Sequence, residues 1–143
     1  MRFIFMLTIV LWGGMSGAAA QCDEAAARNV TTQWGHSTIV GIKRGQAKAL
    51  RGLVSLADGE VLPGVLVEVF EHPESTSFGE PTHSGKRIAA CVTGKDGKFS
   101  FQMQEGRYEL RASKPGWNTT CLIVEIQKRG QRKSLRVVMH VGT

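Results

Sequence analysis

The residues of this 143-residue chain that most readily do chemistry are few and scattered. A protein metal site needs several ligands at short spacing. The four histidines are spread along most of the chain, at His36, His72, His83 and His140. The pattern therefore predicts neither a metal centre nor a cofactor.

Covalent catalysis is equally unsupported by the sequence. No G-x-S-x-G or comparable nucleophile motif is present. Asp58 and Asp96 each precede a glycine, and an aspartate in such a turn commonly bonds its own backbone. We therefore expect a protein that is not an enzyme.

Three aromatic residues are candidates for binding a sugar, because an exposed ring can stack on the apolar face of a pyranose. They are Trp34, Phe78 and Trp117, all in expected loops or in the N-terminal region. The alternatives are structural: Trp117 would close one end of the fold after a Pro-Gly turn, and Trp34 with His36 would anchor the N-terminal region.

Positive charge is concentrated near the C-terminus, at Lys128, Arg129, Arg132, Lys133 and Arg136. The ordinary interpretation is a solvated turn. The sharper one is docking to an anionic surface such as lipid headgroups, an acidic glycan or a partner protein.

Residues 1–20 have the order of a secretory signal: Arg2, an apolar run from Phe3 to Trp12, and small residues ending at Ala20. The run is too short to span a bilayer, which takes about 20 residues. Gln21 precedes Cys22 where a lipoprotein signal has a small residue. We therefore expect cleavage after Ala20, a secreted or periplasmic protein and no membrane span in the mature chain.

Composition fits an ordinary folded domain, with 42% hydrophobic and 21% charged residues. The net charge of +6 is too dilute to indicate a nucleic-acid binder, which export also disfavours. The length allows one domain.

From Ala49 onward, short runs alternate apolar and polar residues between Gly, Pro and Asp-Gly turns, which predicts seven β-strands. Gly97 should adopt positive φ in one hairpin. Seven such strands favour an all-β sandwich. Residues 21–48 form an expected N-terminal arm with a possible strand at 37–42, and residues 49–143 form the domain.

Three motifs in order resemble the carboxypeptidase regulatory-like domain family. They are a glycine-bearing strand, a turn and a valine-rich strand at 50–70, the hairpin Thr93-Gly-Lys-Asp-Gly-Lys-Phe-Ser-Phe101, and Gly106-Arg-Tyr-Glu-Leu-Arg-Ala-Ser-Lys-Pro-Gly-Trp117. The resemblance implies a transthyretin-like (prealbumin-like, Ig-like) seven-stranded sandwich. It also implies a non-catalytic module of the kind attached to secreted enzymes or outer-membrane receptors.

The same fold is used by the transthyretin-related hydrolase of 5-hydroxyisourate. That family has a catalytic histidine in its first strand and ends in Tyr-Arg-Gly-Ser. Here the first strand reads Leu50-Arg-Gly-Leu-Val54 and the chain ends His140-Val-Gly-Thr143. Without the imidazole no group is evident to activate water.

The leading hypothesis is therefore an exported, non-catalytic module that binds or scaffolds another extracytoplasmic protein or a glycan. The alternative is a dedicated carbohydrate-binding module that uses Trp34, Phe78 or Trp117.

Export also predicts a disulfide. We expect Cys91–Cys121, because both cysteines lie opposite the cleaner apolar series of their strands and would share an outer face. This requires the two strands to be neighbours. The competing pairing joins Cys22 to Cys91 or Cys121.

Overall fold

The computed structural model describes residues 22–30, 38–46, 49–72, 85–129 and 134–142, with the backbone alone for 38–46. These residues contain eight strands: β1 (Thr38–Gln46), β2 (Ala49–Ser55), β3 (Leu66–Glu71), β4 (Arg87–Val92), β5 (Lys98–Gln102), β6 (Gly106–Ser113), β7 (Thr119–Ile126) and β8 (Leu135–Val138). The seven strands predicted from Ala49 onward are β2 to β8. The possible strand of the arm corresponds to β1.

The strands form two sheets. The larger sheet has the order β1-β7-β6-β3-β4 and the smaller one β5-β2-β8. Neighbours are antiparallel except β1 with β7 and β2 with β8, which are parallel. The all-β sandwich expected from the sequence is thus confirmed.

The core lies between the two sheets and follows the alternation of the strands. Its members are fully or almost fully buried apolar side chains, including Leu50, Val54, Val67, Val69, Phe99, Leu110, Val124 and Val137. Gly52 lies opposite Phe99 on the neighbouring strand. A Cβ on Gly52 would stand 2.2 Å from the Phe99 ring, so the glycine makes room for an aromatic side chain in the core.

The turns follow their local sequence chemistry. Gly97 has φ 64°, as predicted, and the Asp96 carboxylate accepts a hydrogen bond from the backbone N–H of Lys98 at 3.1 Å. Asp58 accepts one from Glu60 in the same way, at 3.0 Å. These bonds account for both aspartates as turn residues.

The N-terminal arm joins the large sheet at both edges. β1 is one edge strand and pairs with β7, and at the opposite edge Asp23 exchanges two backbone hydrogen bonds with Val92 of β4, at 2.8 and 2.9 Å. Residues 24–29 then form turns. Within the described residues, no helix is long and apolar enough to cross a membrane.

Candidate functional site

The large sheet carries charged side chains on the face that points away from the core. Alternation along β3 and β6 places Glu68, Glu109 and Arg111 on this outer face, because Val67, Val69 and Leu110 face inward. All three charged side chains are nevertheless buried: Glu68 and Glu109 are 0% exposed and Arg111 is 4% exposed. Charged side chains are almost never fully buried unless they are paired.

The buried charges are arranged in pairs of opposite sign. The Arg111 Nε donates a hydrogen bond to the Glu109 carboxylate at 2.6 Å, two residues along the same strand. Glu68 lies opposite Arg111 in the register of β3 and β6. The Arg111 guanidinium also stacks over the Phe70 ring, 3.8 Å from its centroid. Stacking and bidentate-type pairing are both favoured by the planar guanidinium.

Arg87 connects the buried charges to the N-terminal arm. Its guanidinium pairs with the Glu68 carboxylate at 3.0 Å. It also donates hydrogen bonds to the backbone carbonyls of Arg28, at 3.0 Å, and of Val30. One side chain therefore neutralises a buried carboxylate and holds the end of the arm's turn.

His72 is a second unusual feature of the outer face. It is 4% exposed, and neither ring nitrogen has a hydrogen-bond partner. Burial lowers the pKa of His72; the nearby Glu109 carboxylate opposes this shift, and Arg107 adds to it. Burial therefore favours the neutral form of the ring.

Cys121 is a free cysteine on the same face, and it is fully buried. Burial is the main cause that raises the pKa of its thiol to about 12; Glu109 contributes to this rise and Arg111 opposes it. Because the thiolate is the reactive form, this thiol is inert at neutral pH. The carboxylates, guanidinium groups and thiol of the outer face thus have the properties of a structural network.

The structure corrects the predicted disulfide. Cys91 is bonded to Cys22, with their Cα atoms 5.4 Å apart, and Cys121 is free. β4 and β7 are separated by β6 and β3 in the sheet, a distance of about 14 Å, which a disulfide cannot bridge. Cys91 also faces the core, in register with Val67, so the two cysteines are on opposite faces.

The larger of the two grooves described lies where the sheets part, between β4 and β5, with a volume of about 1540 Å³. It is open to solvent and is lined by apolar groups, charges of both signs and backbone, including Asp23, Arg51, Ile88, Lys98 and Phe101. β5 is an edge strand that pairs only with β2 among the described strands. The groove therefore offers backbone hydrogen-bonding groups beside a mixed surface.

The site residues predicted from sequence do not come together. Trp117 is half-buried and packs against the core, and its backbone forms a bridge with Val141. This position matches the interpretation of a ring that closes one end of the sandwich. Lys128 and Arg129 are exposed. Trp34, His36, Phe78, Arg132 and Lys133 lie outside the described residues.

Arg136, the fifth cation of the basic segment, is engaged within the fold. It donates hydrogen bonds to the Ser55 hydroxyl at 2.9 Å and to the carbonyls of Leu56 and Ala57, at 2.9 and 3.2 Å. It therefore holds the turn after β2.

Sequence reasoning missed the buried charges. Alternation in the sequence places Glu68, Glu109 and Arg111 on the polar sides of their strands, and the structure agrees with that alternation. A signal was present in Glu109 and Arg111, since opposite charges two residues apart on one strand lie on the same face. The burial of that face is not visible in alternation.

The solved structures that the chain matches include three of catechol 1,2-dioxygenase from Acinetobacter radioresistens, the wild type and two single-residue variants. Their identity with this chain is 15–16%, and their TM-scores are 0.38 to 0.40. The match covers 66% of this chain and 43% of each dioxygenase, so this chain matches less than half of their length. No curated protein sequence matches the chain.

The family comparison agrees with the motifs and the sandwich. Residues 49–140, which include β2 to β8, match the carboxypeptidase regulatory-like domain. The chain therefore belongs to the carboxypeptidase regulatory-like domain family.

Proposed function

We propose that this protein is an exported, non-catalytic β-sandwich module that binds or scaffolds another extracytoplasmic molecule in the groove between β4 and β5. The observation that carries the proposal is the contrast between this open groove and the paired charges of the outer face. Groups that bind a partner must be accessible, whereas the buried carboxylates already have partners within the chain.

Export is supported by the Cys22–Cys91 disulfide together with the signal-like segment at 1–20. Disulfides persist in oxidising compartments. Cleavage after Ala20 would leave Cys22 as the second residue of the mature chain, so the disulfide would attach the new N-terminus directly to the sandwich. A secreted or periplasmic location is part of the proposal.

A non-catalytic role is supported by the state of the reactive groups. The Cys121 thiol has its pKa raised by burial, and Glu68 and Glu109 are each paired with an arginine. The described residues contain no group of three or more His, Cys, Asp or Glu side chains that could hold a metal ion.

The groove suits an extended polypeptide better than a small molecule. Edge strands bind peptides by adding a strand, with main-chain hydrogen bonds for affinity and side-chain pockets for specificity. In β5, the exposed residues Lys98, Ser100 and Gln102 alternate with the buried Phe99 and Phe101.

Site-specific photo-crosslinking tests this assignment. A photoreactive residue at Ser100, in the groove, should capture a partner when the full chain is expressed in its native cell envelope. The matched control carries the same residue at His140, an exposed position just after β8, the strand at the edge of the smaller sheet opposite β5. Equal labelling at the two positions, or none at Ser100, would contradict the groove assignment. Affinity electrophoresis on soluble and insoluble glycans tests the carbohydrate alternative, which predicts retarded migration.

A further inference from the structure

We propose that residues 22–30 act as an edge guard, which prevents β4 from pairing with β4 of a second copy of this chain. Every open sheet needs protection at its edges, because an unpaired strand edge is a template for another strand. This inference concerns the edge of β4 and does not depend on the groove binding a partner.

β4 is the edge strand of the large sheet with the greatest need of protection. Apart from Arg87 at its start, it consists of Ile88, Ala89, Ala90, Cys91 and Val92. Such a run has no charge and no proline, and Ile88 is 39% exposed. β5, the edge strand facing it across the groove, is protected differently, by exposed polar side chains including Lys98.

The arm already occupies one position on this edge. Asp23 pairs with Val92 as the next strand of a sheet would, through two backbone hydrogen bonds. The disulfide from Cys22 to Cys91 and the bonds from Arg87 to the carbonyls of Arg28 and Val30 fix the segment at both of its ends. Among the described residues, β4 otherwise pairs only with β3.

The geometry of β4 favours pairing with β4 of a second copy once residues 22–30 leave the strand edge. The N–H and C=O of Val92 point away from β3, since they bond Asp23, and alternation points those of Ala90 the same way. An antiparallel pair centred on Ala90 would place two small residues opposite each other and Ile88 opposite Val92. The two Arg87 side chains would lie at opposite ends, about 20 Å apart, beyond the screening length in physiological salt.

The test is the oligomeric state of the full mature chain with and without the guard. A Cys22→Ser variant should show a doubling of its weight-average mass in sedimentation or light scattering as concentration rises, while the oxidised wild type stays at monomer mass. Amide hydrogen exchange should then slow at Ala90 in the dimer. A Cys22→Ser variant that stays monomeric while folded would overturn the proposal.

A second substitution locates the interface. Ala90→Pro removes an N–H that faces away from β3, so it should leave the sheet intact and return the Cys22→Ser variant to monomer mass. Ser100→Pro is the matched control on β5. The carbonyl of Gly97 points toward β2, since it accepts a hydrogen bond from Val54. Alternation along the strand therefore points the N–H of Ser100 away from β2. Ser100→Pro should leave the dimer in place; restoration of the monomer by both substitutions would overturn the assignment to β4.

Loss of folding has a defined meaning in this experiment. If Cys22→Ser does not fold, the wild-type protein is reduced with a dithiol instead. The dithiol is oxidised to a disulfide as Cys22 and Cys91 each gain a hydrogen. The circular dichroism and the mass of the reduced protein are then measured together. If the sandwich is lost on reduction as well, residues 22–30 are a folding element rather than a guard and the proposal is overturned.

Discussion

The two faces of the large sheet are both buried along the middle of β3 and β6, yet they are built from opposite chemistry. The inner face packs Val67, Leu110 and Val124 against the smaller sheet. The outer face buries Glu68, Glu109 and Arg111 at the same depth. Burial of apolar groups stabilises a fold in proportion to area, whereas burial of charges stabilises it only while every charge has its partner.

The contrast between the two faces shows how the N-terminal arm is integrated into the domain. On the inner face each side chain contributes independently, so its loss leaves a cavity and little else. On the outer face the groups depend on one another: Arg87 joins Glu68 to the carbonyls of Arg28 and Val30. Damage to one member therefore weakens the compensation of another buried charge.

The largest effect is expected when the arm is removed. A chain beginning at Gln46 loses the Cys22–Cys91 disulfide and the carbonyl partners of Arg87. The disulfide spans 69 residues of sequence, and its loss costs about 4 kcal/mol in the chain-entropy model. We expect the melting temperature to fall by about 15 °C or more. An unchanged value in a thermal denaturation scan would show that the arm is only a tether.

The next largest effect is expected from a substitution on the outer face, where stability depends on paired charges. Glu109→Leu should lower the free energy of unfolding by about 3–5 kcal/mol, because the buried Arg111 loses the carboxylate that its Nε bonds at 2.6 Å. The matched control is the double variant with Arg111→Met, which removes both charges and should recover most of this loss. Urea denaturation of the two variants provides the comparison. Equal losses in both would show that the pair acts by packing rather than by charge.

The inner face should respond less and without dependence on a partner. Leu110→Ala removes a fully buried side chain beside Glu109 on the same strand, and we expect a loss of about 3 kcal/mol in the free energy of unfolding. The loss should be the same at low and high salt, since no charge is involved. A strong salt dependence in urea denaturation would contradict the division between the faces.

The smallest effect concerns pH. Burial lowers the pKa of His72 in the folded protein, whereas in the unfolded chain the pKa has its ordinary value near 6.5. Below pH 6.5 the unfolded chain therefore binds a proton at His72 more readily than the folded protein does. Stability should therefore fall as the pH drops from about 6.5 through the folded-state pKa. His72→Leu should reduce the difference in melting temperature between pH 7.5 and 5.5. An identical difference in wild type and variant would exclude His72 as the source.

The local features of the fold were readable in the sequence. Alternation of apolar residues located β2 to β8 and showed which side of β3, β6 and β7 faces the core. Turn chemistry placed Gly97 at positive φ. β4 was the exception, because Ile88, Ala90 and Val92 are as apolar as Ala89 and Cys91, and alternation cannot orient a strand whose two sides are alike. The structure turns Cys91 inward.

Tertiary structure decided the order of the strands and everything that depends on it. The disulfide partner of Cys91, the pairing of Arg87 with Glu68 and the burial of the outer face all follow from which strands are neighbours. Alternation is a property of each strand and its own side chains, so the class of fold and most strand faces can be predicted from the sequence alone. Strand order depends on contacts between segments distant in sequence, and their combined free energy is not encoded in any local pattern.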